Sequence, residues 1–97
     1  MRVEYHPAVQ AELDEILNFY EGRRPGLGRE FLDEFERLVL RVAATPRRWM
    51  AIEADIRRAL MPRFPYVIYF REVASDRLRI TVVKYARRHP GYGRDRR

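Results

Sequence analysis

Apolar and polar positions follow two rhythms along this chain, and the change of rhythm divides it in half. In "RVEYH" (residues 2–6), Val3 and Tyr5 fall on one side and Arg2 and Glu4 on the other, the period of a short strand. Pro7 suits the first turn of a helix, where a missing N–H costs nothing. Val9, Leu13, Ile16, Leu17 and Tyr20 then recur at helical spacing, with Glu12, Asp14, Glu15 and Glu21 opposite. "GRRPGLG" (residues 22–28) is dense in glycine and proline and reads as a turn. A second helix carries Leu27, Phe31, Phe35, Leu38 and Val42 on one stripe, with Leu32 and Val39 beside it. It ends at Thr45, because the residue before a proline is pushed out of the helical region. Two amphipathic helices joined by a short turn predict an antiparallel hairpin.

Beyond Pro46 the period shortens. "AIEADIRRALM" alternates through Ile52, Ala54 and Ile56 and reads as one strand. "YVIYFREV" is rich in aromatic and β-branched residues, "ASDR" (74–77) has turn composition, and "RLRITVVKY" alternates again, which predicts a hairpin over 66–85. The predicted order is β-α-α-β-β-β. That is an α+β domain in which a helical hairpin packs on one face of a mainly antiparallel four-stranded sheet, with the first strand joining it. Ninety-seven residues suit a single domain over 1–97.

Charge sharpens the division. Residues 1–45 carry six Arg against nine acids, a net of −3, whereas residues 46–97 carry thirteen Arg and Lys84 against five acids, a net of +9. A basic second half points to an anionic partner, either nucleic acid or an acidic protein. The absence of cysteine excludes a disulfide frame and a cysteine zinc site, and fits a reducing cytoplasm. No signal peptide is expected, since Met1 leads straight into the polar Arg2 and Glu4 with no apolar run of seven or more. The longest apolar run, near Val67 to Phe70, is too short to span a bilayer, so no membrane partner is expected.

Few residues offer catalytic chemistry. The chain has one serine, Ser75, and two distant histidines, His6 and His89, which read as structural or solvated. A hydrolase triad and a metal site are therefore improbable, and no cofactor is implied. Glu12, Asp14, Glu15, Glu30, Asp33, Glu34 and Glu36 read as solvated helix surface, and Tyr66, Tyr69 and Phe70 as packing in the sheet. Arginine and tyrosine remain: Arg57, Arg58, Arg63, Arg71, Arg79, Arg87 and Arg88 fall on or just after strands, with Tyr85 and Tyr92 in the closing "KYARRHPGYGRDRR". Arginine forks onto phosphate and stacks on bases, and tyrosine adds a stacking face.

The blocks "VEYHPAVQAELDEI", "FYEGRRPGLGREFLDEFE", "IRRALMPRFPYVIYFRE" and "VVKYARRHPGYGRDR" resemble the ParE/RelE superfamily of type II toxin–antitoxin toxins over nearly the whole chain. The closing block is similar to the tail of plasmid-stabilisation members. The resemblance implies a cytoplasmic growth-inhibiting toxin neutralised by a cognate antitoxin, part of which folds across the toxin surface. Two branches diverge. RelE-like members are ribosome-dependent, metal-independent mRNA endonucleases; ParE-like members inhibit DNA gyrase and have no known nuclease site.

On the RelE-like pattern, Arg58 takes the place of one lysine, but Leu60 stands where a second is expected and Val67 where a central arginine is expected. Arg87 or Arg88 matches the late arginine, and Tyr92 the tyrosine after it, one residue out of spacing. Loss of one charge-stabilising donor costs about 100- to 1,000-fold in rate. The ParE-like branch is therefore favoured, with Arg57, Arg63, Arg79, Arg87, Arg88 and Tyr92 contacting target or antitoxin. The RelE-like alternative would use Arg58, Arg88 and Tyr92 for catalysis, with the ribosome and mRNA as partners. A non-toxic relative that keeps only antitoxin binding is the third reading.

Overall fold

The computed structural model describes residues 1–97. Strand β1 (Arg2–Tyr5) leads into helix α1 (Pro7–Arg23) and helix α2 (Leu27–Ala44). A single 3-10 turn (Pro46–Arg48) precedes β2 (Met50–Glu53), β3 (Ile56–Leu60), β4 (Tyr66–Ala74) and β5 (Arg77–Tyr85). The sheet order is β1-β5-β4-β3-β2. β1 runs parallel to β5, with Arg2 opposite Arg77, and every other pair is antiparallel. The α+β architecture, the helical hairpin and the 66–85 strand hairpin follow the sequence reading.

The sheet has five strands rather than four. The segment read as one strand folds back at Ala54-Asp55, bringing Glu53 opposite Ile56. Ala54 makes the turn with φ of 45°, a left-handed conformation that a residue with a Cβ seldom adopts.

Local chemistry fixes the helix ends. His6 caps α1, its Nδ1 accepting from the Ala8 N–H at 3.1 Å, with Pro7 in the first turn. Both Glu21 carboxylate oxygens accept N–H groups at the start of α2, from Gly26 at 2.9 Å and Gly28 at 3.1 Å. Gly28 lets the helices approach closely: a Cβ there would lie 3.0 Å from the Leu17 carbonyl oxygen.

The predicted stripe of α2 is the core. Phe31, Phe35, Leu38, Val39 and Val42 are buried against Ala59, Ile68, Phe70, Leu78, Ile80 and Val83. Each such side chain contributes roughly 1.5–3 kcal/mol of burial. Tyr20, Phe31, Phe64 and Tyr66 pack edge to face or stacked, with ring centroids 5.0–6.0 Å apart. Glu34 departs from the solvated-surface reading. It is buried, accepts the Arg63 N–H at 2.7 Å and pairs with the Arg63 Nε at 3.4 Å, which anchors the β3–β4 loop to α2.

A smaller cluster lies on the sheet face away from the helices: Ile56, Val67, Tyr69 and Val82, with Ile52 and Tyr92 against it. Near its centre β5 bulges. Tyr69 stands opposite Val82 and Phe70 opposite Ile80, leaving Thr81 as the extra residue. The Thr81 hydroxyl donates across the bulge to the Tyr69 carbonyl at 3.3 Å.

Candidate functional site

Residues 86–97 do not trail into solvent; they fold back across the outer sheet face, and the scaffold meets them with hydrogen bonds. The Tyr69 hydroxyl donates to the Pro90 carbonyl at 2.9 Å, and the buried Lys84 Nζ donates to the Arg88 carbonyl at 3.1 Å. Arg71, buried in the same face, pairs with Asp55 on the β2–β3 turn and donates to the carbonyls of Arg94 and Arg96, each at 3.2 Å. A planar fork with five donors suits this role, since it serves three acceptors at once. Arg79 holds the Arg97 main-chain oxygen at 2.8 Å and Glu4 of β1 at 3.1 Å. Gly93 passes so near the sheet, at φ of 74°, that a Cβ would sit 2.4 Å from Val82 Cγ2.

The tail is clasped from the helical layer as well. β1 ends opposite Ile80, so the edge of β5 from Thr81 onward has no strand beside it. Side chains take up the open backbone groups. Glu12 of α1 accepts the Val83 N–H at 3.0 Å, and Arg96 donates to the Thr81 carbonyl at 3.0 Å. The same Glu12 accepts the Tyr92 hydroxyl at 2.5 Å and the Arg96 guanidinium at 2.9 Å, while Arg96 donates to the Tyr92 oxygen at 3.1 Å. Burial pulls the Arg96 pKa down, but the hydrogen bonds to Glu12 and Tyr92 outweigh it and the net direction is up. Glu12 is thus a hub joining α1, β5 and the tail, and the solvated-surface reading is corrected for it too.

Beside the clasp opens a cleft of about 270 Å³, floored by Ile16, Tyr66 and Val83 and rimmed by Phe19, Tyr85 and Arg88. Burial pushes the Tyr66 phenol above its ordinary value, with Tyr20 adding to the effect. Phe19 and Tyr85 remain about half exposed, 50% and 43%, so the rim of the cleft presents aromatic surface.

The residues singled out from the sequence scatter over this frame. Arg58 stands opposite Tyr69, and Tyr92 packs on the Tyr69 cluster, so both share the outer face. The Arg88 guanidinium lies 4.0 Å from the Tyr92 ring centroid, and Arg87 and Arg88 are exposed. Arg79 lies on the outer face but at its far end, tied to Glu4. Arg57 and Arg63 lie elsewhere. Arg57 stands opposite Phe70 of the main core and donates to the Trp49 carbonyl at 2.7 Å; Arg63 is tied to Glu30 and Glu34 on α2. Tyr66, Tyr69 and Phe70 pack as expected. Glu12, Lys84 and Arg96 are residues that the sequence reading did not single out as functional, and Arg71, singled out there for anion binding, instead holds the tail; Glu12, Arg71 and Arg96 have partners distant in the chain. No group of three or more histidine, cysteine, aspartate or glutamate side chains is placed to hold a metal ion, and no helix is long and apolar enough to cross a membrane.

The family described as "ParE toxin of type II toxin-antitoxin system, parDE" matches residues 3–90. The chain belongs to the ParE toxin family. A search of curated proteins gives no match. Among solved structures, the ParE-family fold of this chain is similar to a chain of the chromosomal ParDE TA system from P. aeruginosa. The TM-score is 0.75 at 17% identity, covering 88% of this chain and 95% of that one. The family match ends at Pro90, so the pinned segment carrying Tyr92 and Arg96 lies beyond it.

Proposed function

We propose that this ParE-family toxin acts by binding a protein target, DNA gyrase, through the basic tail surface that presents Arg87, Arg88 and Tyr92, and that a cognate antitoxin holds it inactive. The observation that carries this reading is the pairing pattern of the outer face. Arg87 and Arg88 are exposed and make no ion pair, on a segment pinned at both ends, whereas the Tyr92 hydroxyl is already bound by Glu12 and Arg96. A rigid cationic surface beside an aromatic cleft suits a protein partner, whose recognition needs preorganised anchors.

The same face is poorly equipped for phosphoryl chemistry. Val67 is buried in its apolar cluster and Leu60 is exposed hydrocarbon, where the RelE-like pattern would have cations. Arg63 is bound on the helix side and supplies no substitute. The match to a chain of a ParDE system supports the antitoxin as a partner. Its acidic or apolar segment has two receptive features here, the cleft between Phe19 and Tyr85 and the unpaired arginines of the tail.

Two measurements test the proposal. Purified gyrase should lose supercoiling activity on adding the chain, and the Arg87→Ala, Arg88→Ala pair should weaken binding by about ten-fold or more, as for charged anchors. In cells, pulse-labelled DNA synthesis should fall before protein synthesis. Protein synthesis failing first, with cleaved transcripts that disappear in Tyr92→Phe, would replace this reading with ribosome-dependent mRNA cleavage using Arg58, Arg88 and Tyr92.

A further inference from the structure

Nearly half of the nineteen arginines of this protein are spent on ion pairs within it, and clusters of exposed unpaired ones are where charge is left for another molecule. Arg24, Arg29, Arg47, Arg63, Arg71, Arg77, Arg79, Arg94 and Arg96 each face an acid within the fold. One unpaired group belongs to the tail surface. Another lies at the opposite pole, at the C-terminal end of α2.

There Arg37, Leu40, Arg41 and Ala44 are spaced i, i+3, i+4 and i+7, which sets them on one helical stripe, and all are exposed. Leu40 is 71% exposed, the most open of the large apolar side chains. The stripe runs into a cleft of about 400 Å³ formed by Arg41, Ala44, Thr45, Arg48 and Trp49. The Arg41 guanidinium covers the Trp49 ring, 5.4 Å from its centroid. The nearest acid along the helix, Glu36, lines a different groove with Tyr5 and Leu32. The negative end of the α2 dipole favours cations at this position without neutralising them.

We propose that this pole is a second docking surface, which receives an acidic amphipathic protein segment: its carboxylates meet Arg37, Arg41 and Arg48, and an apolar side chain covers Leu40. Charge complementarity argues for an acidic partner, and Leu40 at the centre argues for protein. A polyphosphate backbone gains nothing from burying a leucine, whereas an amphipathic helix seats its apolar stripe on one. The surface stands apart from the tail, so it does not depend on gyrase being the target.

Trp49 is the sole tryptophan, so its fluorescence reports on this cleft alone. The probe is a capped synthetic helical peptide carrying one leucine stripe between two rows of glutamates, added to the full chain and read by Trp49 emission and by anisotropy of labelled peptide. Saturable binding is expected, weakened roughly ten-fold or more by Arg37→Glu with Arg41→Glu and clearly by Leu40→Ser. The pair Arg2→Glu with Arg23→Glu, an equal change of net charge elsewhere, should leave the affinity within about two-fold. No saturable change overturns the proposal. So does an equal response to a scrambled peptide, equal loss in the two charge-reversed pairs, or a single-stranded oligonucleotide that binds this pole more tightly than the peptide. All these side chains are exposed, and circular dichroism of each variant confirms that it is folded.

Discussion

Glu12 bonds to groups 71, 80 and 84 residues away in sequence, and those bonds hold the tail in place. Replacing it by Gln keeps the shape but removes the charge that Tyr92 and Arg96 both point at. Charged hydrogen bonds of this kind contribute about 1.5–3 kcal/mol each where solvent is excluded, and less here because the site is partly open. Glu12→Gln should therefore lower stability by about 1–2 kcal/mol in urea denaturation, with faster amide exchange confined mainly to 86–97. Gly93 offers a purely steric counterpart. Its positive φ and the contact with Val82 make Gly93→Ala costly by about 1–3 kcal/mol. The exchange pattern should match that of Glu12→Gln, because both changes lift the same segment.

At the scale of elements, the junction of β1 with β5 should respond to pH. Glu4 sits between Arg79 at 3.1 Å and Arg77 at 3.4 Å, and the Arg79 hydrogen bond holds its pKa below the ordinary glutamate value, with the two positive charges adding to the effect. Glu30 is lowered likewise by Arg24 and then Arg63. A depressed folded-state pKa stabilises the fold above the ordinary value of about 4.3 and loses that contribution as the pH falls through the lower one. Melting temperature should therefore drop below about pH 4, and Glu4→Gln should flatten part of that acid limb; an unchanged limb would show that the pair contributes nothing. Elements were legible in sequence where one face meets one core: the α2 stripe and the β4–β5 hairpin announce themselves by period. The β2–β3 turn does not, because Ala54-Asp55 lacks the glycine or asparagine that usually marks a left-handed residue. Glu12 and Glu34 were misread for a related reason. Helical spacing tells which side of a helix faces the sheet, but not which distant loop or tail covers the flank.

Across the whole molecule, charge and apolar surface are arranged as two poles on one frame. Ion pairs take up nine of the nineteen arginines, and two clusters of exposed unpaired ones lie at the tail surface and at the end of α2. Both poles should respond to ionic strength, since exposed charges are screened within about 8–10 Å at physiological salt. The sheet that separates them is closed by its first strand lying beside its last, Arg2 opposite Arg77. That pairing sets an order of events during synthesis. The leading strand and α1 leave the ribosome early with nothing to lie against, and only the arrival of β5 gives β1 a neighbour and Glu12 its anchor. A fragment stopped before residue 77 lacks the strand that joins β1 to β4, so a truncated translation product carries neither the complete five-stranded sheet nor the pinned basic tail.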